Sequence, residues 1–232
     1  MQRWCRLPTL PAMLKIDFVS DVVCPWCAIG LSALDSALRE LAPELQAQLR
    51  VQPFELNPQM PAEGEEIVAH LQRKYGITAE QIATNSEAIR QRGASVGFEF
   101  GVGKRTHIVN TFDAHRLLHW AGEQGGEAQL QLKRALLAAY HGQGRLPNDP
   151  AVLLDCAVQA GLDREAAAAV LADAGRFADE VRAAEAFYQR AGISAVPAVV
   201  VNDAYLISGG QPVEVYLQAL RQIAAEAGQT PA

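Results

Sequence analysis

Cys24-Pro25-Trp26-Cys27 decides the fold, because this pair of thiols stands where a strand signal gives way to a helix signal. The run before it, Leu14-Lys15-Ile16-Asp17-Phe18-Val19, is short and rich in β-branched and aromatic residues, as a buried strand requires. The run after it repeats apolar side chains at Ile29, Leu31, Leu34, Leu38 and Leu41, the spacing of one helix face. Proline near the first helical position loses no needed hydrogen bond and presets the backbone angle, so Pro25 opens the helix and Cys24 falls at its N-cap.

That placement has a chemical consequence. Unsatisfied amides and the positive end of the helix dipole favour a thiolate, lowering an exposed N-terminal cysteine from about 8.5 to roughly 3.5–7.5. Cys24 is therefore expected to be an exposed nucleophile. Cys27, one turn further in, is expected to be more buried, closer to an ordinary thiol, and suited to resolving a mixed disulfide. Zinc normally takes four ligands, and no second CxxC lies anywhere in the chain. A purely structural disulfide closing so short a loop would add little stability. A reversible redox pair is the reading that remains.

The chain has 232 residues, half of them hydrophobic, enough for one large domain or a domain with a substantial insertion. Its net charge of −6 and its scattered basic residues argue against nucleic acid and anionic membrane as partners. No apolar run approaches the roughly 20 residues of a spanning helix. Residues 1–12 are broken by Pro8 and Pro11, lack the apolar stretch of a secretory signal, and read as a loose tail, with Met13 a candidate natural start. A cytoplasmic location is expected, where structural thiols stay reduced. Cys156 shares an apolar face with Leu153, Leu154 and Val158 and reads as a buried inert thiol, while Cys5 lies in the tail.

Residues 50–56 alternate polar and apolar and read as a second strand, completing a β-α-β unit over residues 13–57. Helical signals then dominate residues 58–191. Expected helices cover 65–75 (Ile67, Val68, Leu71 and Tyr75 on one face), a stretch from the capping box Thr78/Gln81 to Arg92 stopped by Gly93, then 108–122, 126–141, 150–160, 164–173 and 176–191. Strand character returns at residues 198–202. A turn at Asn202-Asp203 leads to 205–208, making a hairpin, and residues 213–227 form a last helix. The pieces at the two ends, 13–57 and 192–232, must share one sheet to bury enough apolar surface.

Ile193-Ser194-Ala195-Val196-Pro197 is the second informative stretch: a proline just before a strand marks an edge, a turn or a cis peptide bond. Beside a CxxC on the first β-α turn, it resembles the cis-proline loop of the thioredoxin superfamily. By that resemblance Pro197 is cis and Val196 offers its backbone to an extended substrate. A thioredoxin fold (α/β) with a large all-helical insertion between its second and third strands is similar to the DsbA-like group. Within it, residues 20–30 (Ser20 to Gly30), residues 110–116 (Asn110 to Arg116) and the stretches Ile193 to Pro197 and Ser208 to Gln211 resemble the FrnE-type oxidoreductases.

The resemblance implies a dithiol-disulfide oxidoreductase or isomerase acting on a protein or small-molecule substrate, with no metal, no tightly bound cofactor, and glutathione as a candidate co-substrate. Pro25 and Trp26 would tune substrate choice and potential. Kappa-class glutathione transferases and 2-hydroxychromene-2-carboxylate isomerases share the architecture but usually carry serine where Cys24 stands, so retention of both thiols favours exchange over conjugation or isomerisation. Helical insertions of this kind often support homodimers, although no feature of this sequence demands one. Asp17 is a candidate relay for the proton of Cys27, as thioredoxin-like proteins commonly keep a buried acid there, or else faces water. Asp21 would raise the pKa of Cys24 if it pointed inward. His115 is a candidate for lining the redox cleft; His107, His115 and His119 could bind a metal only if further ligands approached.

Overall fold

The computed structural model describes residues 13–227; the expected tail and Cys5 lie outside them. The first strand, β1 (Met13–Ser20), pairs in parallel with β2 (Gln46–Pro53), from Met13 opposite Gln46 to Ser20 opposite Pro53. Between them runs helix α1 (Pro25–Leu41). On its other side β1 pairs antiparallel with β5 (Ala198–Val201), which turns through Asn202 and Asp203, both at positive φ, into β6 (Tyr205–Ser208). The sheet order is β2-β1-β5-β6, and α9 (Val213–Ala227) follows β6 as the last element of the described residues. This is the thioredoxin arrangement expected from the sequence, with the insertion between β2 and β5.

The insertion holds α2 (Ile67–Tyr75), α3 (Ala79–Ala94), α4 (Phe112–Glu123), α5 (Ala128–Leu137), α6 (Pro150–Gln159), α7 (Arg164–Ala172) and α8 (Ala178–Arg190). It is not wholly helical: β3 (Glu65–Glu66) pairs with β4 (His107–Ile108). Alternation along β1 splits the core. Leu14, Ile16 and Phe18 pack with α1 and α9 through Leu31, Leu34, Tyr216 and Leu220. Val19 packs on the other face with Phe54, Tyr188 and Ile193. A separate core joins α4 to α7 through Leu117, Leu136, Leu153 and Val170, with Cys156 buried among them as expected. Among the described residues no helix is long and apolar enough to cross a membrane.

Several boundaries differ from expectation. The second strand begins at Gln46 rather than residue 50, because β2 is an edge strand whose Gln46, Gln48 and Arg50 face solvent and carry no apolar signal. The capping box at Thr78 and Gln81 forms, but Gly93 does not stop α3; it lies inside it, where a Cβ would sit 2.5 Å from the Phe100 ring. In α2 the buried side chain is His70, paired with Glu65, while Tyr75 is exposed. The helix expected from residue 108 starts at Phe112, whose N–H is taken by Asn110 Oδ1 at 2.8 Å. The helix expected to reach 141 ends as a π-helical turn over Ala138–Gly142.

The outer edge of β2 is met by one side chain. Gln129 Oε1 accepts from the Val51 N–H at 2.9 Å and its Nε2 donates to the Val51 carbonyl at 3.0 Å, as a neighbouring strand would. Gln129→Leu is expected to lower unfolding free energy by about 1–2 kcal/mol. The exposed Gln131→Leu should stay within about 0.5 kcal/mol in the same chemical denaturation series.

Candidate active site

The turn after β1 delivers Cys24 to the N-cap of α1 with extended backbone (φ −83°, ψ 115°), Pro25 at the first helical position and no side-chain cap bond, so the sulfur is left for other partners. The Cys24 thiol donates to the Val196 carbonyl at 3.5 Å, and the Val196–Pro197 peptide is cis. Two glycines let the helix close on the loop before β5 and on the one after β6. A Cβ on Gly30 would lie 2.9 Å from Pro197 Cγ, and one on Gly210 would lie 3.0 Å from the Trp26 carbonyl. Covered in this way, Cys24 is only 4% exposed, not the exposed thiol the sequence suggested, and Cys27 is fully buried. Trp26, between the two cysteines, is left 41% exposed.

The two sulfurs are electrostatically unequal. The Cys27 thiol donates to Cys24 and holds its pKa below the ordinary thiol value, helped by the N–H groups of Cys27 and Trp26 against burial and the Asp21 charge. Cys27 is pushed well above the ordinary value by burial first and by Cys24 second, further than the near-normal thiol expected. Both are free thiols.

The supporting residues fall into two groups. Asp21 is fully buried; its Oδ2 accepts from the Leu56 N–H at 2.7 Å, its Oδ1 accepts from the Val23 N–H at 3.4 Å, and His115 Nε2 stands 3.5 Å from Oδ1. Burial would raise its carboxyl, but His115 and the Leu56 N–H outweigh burial and keep it below the usual range. His115 thus meets Asp21 rather than either sulfur. Asp17 does not join them. It is buried, not facing water, but on the opposite face of β1, where it accepts from Gln52 Nε2 at 2.6 Å and lies beside Tyr188. The histidines do not converge: His107 contacts Thr106, and His119 lies 4.0 Å from Glu123.

Two further groups escaped the sequence reading. His141, in the π turn, is buried with Nε2 donating to the Val22 carbonyl at 2.9 Å, and burial holds its imidazole neutral. Lys133, on α5, is fully buried with no hydrogen-bond partner for Nζ. The signal was available for Lys133. It stands four residues after Gln129 and four before Leu137, in register with the buried stripe of α5.

The pattern of the DSBA-like thioredoxin domain matches residues 15–221. The chain belongs to that family. No curated protein matches it. Among solved structures, this DSBA-like chain is similar to a probable DsbA oxidoreductase from Streptomyces coelicolor, at 35% identity and TM-score 0.86, over 94% of this chain and 92% of that one. It shares its fold with the cytosolic disulfide reductase DsbM from Pseudomonas aeruginosa, solved with glutathione (17% identity, TM-score 0.62, 90% and 98% covered). A 2-hydroxychromene-2-carboxylate isomerase has the fold too, at 13% identity and TM-score 0.65, over 94% and 100% of the two chains.

Alkylation of the reduced DSBA-like protein at pH 7 should label Cys24 first and leave Cys27 and Cys156 unmodified, the latter pushed up to about 11 by burial; peptide mapping reads this directly. The Asp21 carboxylate disfavours a neighbouring thiolate, so Asp21→Asn should move the Cys24 alkylation midpoint to lower pH. A midpoint that stays or rises would contradict this assignment of the charge.

Proposed function

We propose that the protein is a dithiol-disulfide oxidoreductase that exchanges disulfides through Cys24 and Cys27. The observation that carries this reading is the pairing of one thiol held low at a helix N-terminus with a second held high beneath it. Cys24 thiolate attacks a substrate disulfide, forming a mixed disulfide as the other substrate sulfur leaves as a thiolate and takes up a proton. Cys27 then loses its proton and attacks Cys24; the enzyme disulfide closes and the second substrate sulfur departs, so two electrons have passed from the pair to the substrate. The reverse sequence oxidises a dithiol.

Trp26, Val196 and Pro197 would receive the chain or molecule that bears the disulfide, with Pro25 fixing the first turn. The insertion, residues 58–191, would act as a domain that walls this cleft. All of these groups come from one chain, so exchange needs no second copy. The family supports a redox enzyme, and the likeness to DsbM, a cytosolic disulfide reductase solved with glutathione, supports a cytoplasmic reductase with glutathione as co-substrate. Retention of both cysteines supports exchange over the isomerase or transferase chemistry of the serine-bearing relatives.

Insulin reduction and refolding of scrambled ribonuclease, with a glutathione titration, test this. Cys24→Ser should lower both activities by at least about 100-fold, since a hydroxyl is a weak nucleophile at neutral pH. Cys27→Ser should accumulate a mixed disulfide at Cys24. Full turnover by Cys27→Ser with glutathione would instead mark a transferase or isomerase, and activity in both variants would mark a binding module.

A further inference from the structure

Resolution asks Cys27 to ionise where water does not reach, and the groups around it differ in whether they help. Cys27 is fully buried, with Asp21 facing it from the β1–α1 turn, Cys24 from the start of α1, and Tyr216 from α9. The Asp21 backbone favours a Cys27 anion, while its carboxylate, tempered by His115 and Lys74, opposes the Cys24 anion. His141 is neutral, with its Nε2 proton committed to Val22. Asp17 faces the other side of the sheet. Lys133 alone brings a cation: α5 inserts its side chain, 0% exposed, with Nζ bonded to no described group, and its charge acts on Cys27, Asp21 and Cys24.

A buried ammonium without a hydrogen-bond partner is costly to desolvate, so its presence calls for a role. We propose that Lys133 is the positioning residue that lets Cys27 ionise, its buried ammonium serving as counter-charge to the Cys27 thiolate during resolution. This rests on the exchange reading above. While Cys24 is a thiolate, Lys133 balances it and Asp21, and Cys27 stays a thiol. Once Cys24 is tied up in the mixed disulfide, its negative charge is gone and the ammonium's field falls on Cys27. Cys27 thiolate attacks Cys24 Sγ, the Cys24–Cys27 bond forms as the Cys24–substrate bond breaks, and the proton Cys27 released ends on the departing substrate sulfur. Burial draws the Lys133 amine below the ordinary lysine pKa, while Cys27, Asp21 and Cys24 pull it back up.

The test uses the full chain. In a Cys24→Ser background, Cys27 is the reporter, and its alkylation rate against pH gives its ionisation midpoint. Lys133→Met, an unbranched side chain one atom shorter that removes the charge, is expected to raise that midpoint by at least about one unit, a tenfold lower rate on the rising limb. With both cysteines present, Lys133→Met should prolong the Cys24–glutathione mixed disulfide about tenfold, with thermal stability equal to or above that of wild type, as losing a buried unpaired charge predicts. An unchanged Cys27 midpoint with an unchanged mixed-disulfide lifetime overturns the proposal. If Lys133→Met does not fold, nitrogen NMR of the Cys24→Ser protein decides: the Lys133 Nζ signal should shift with the titration of Cys27, and independence of the two sinks the idea. A wild type that exchanges no disulfides refutes the exchange reading while leaving the Cys27 midpoints readable, so the two failures are distinguishable.

Discussion

The antiparallel pairing of β1 with β5 is the constraint on which the rest depends. Because Val19 lies opposite Ala198, the end of β1 and the start of β5 fall at the same edge of the sheet, and the turns that continue them meet in space. One turn ends at Cys24 and the other begins at Val196, so a thiol and a carbonyl 172 residues apart in sequence come to 3.5 Å. Neither segment could form this contact alone. The same register brings Pro197 against Gly30, which explains why a residue without a side chain stands in the second turn of α1.

Closing the site in this way has an electrostatic consequence. Taking Cys24 almost out of water should raise its pKa, yet the Cys27 thiol and two backbone N–H groups aimed at the sulfur reverse the sign. These donors are fixed by the helix, so stabilising the anion requires little reorganisation. Cys27 supplies part of that stabilisation and becomes harder to ionise in return. The asymmetry between the sulfurs is thus one interaction seen from its two ends, and it orders the chemistry: the outer thiol acts first, and the inner one gains its chance when the outer charge is gone.

The features legible in the sequence were those with local causes. The helix after Cys24, the Thr78–Gln81 cap, the 198–208 hairpin and the boundaries of α9 all follow from spacing, capping chemistry and turn residues that act over a few positions. Gln46 to Leu49 were missed because an edge strand shows water half of its side chains and pairs through backbone alone. The placement of Asp17 escaped because alternation says that it opposes Phe18 without saying which face holds the thiols. Its burial beside Gln52 and Tyr188 is a tertiary fact. The period of α5 marks Lys133 as inward-facing, but that it and His141 meet the β1–α1 turn depends on how α5 and its π turn approach, which a helical period does not encode; π turns of this kind frequently accompany functional sites.

The fold buries two cations from the insertion, and their surroundings separate their roles. Arg116 is 1% exposed, but its guanidinium donates to the Asp113 carboxylate and to the carbonyls of Val170, Asp173 and Arg176, so it ties α4 to the connection between α7 and α8. A planar fork with its donors matched to fixed acceptors is a structural joint. Lys133, fully enclosed, has no such acceptor and faces thiols and a carboxylate. Charge unmatched by fixed acceptors is poor material for holding helices together, and it is well suited to answering a change of charge nearby. Among the described residues, the buried polar atoms without hydrogen-bond partners point the same way: Ser20 Oγ ends β1 beside the β1–α1 turn, and Lys133 Nζ and His141 Nδ1 belong to side chains packed on that turn, with Glu185 Oε1 the exception. Unsatisfied polarity is concentrated where the sulfurs change charge, while the core between α6 and α7 is apolar.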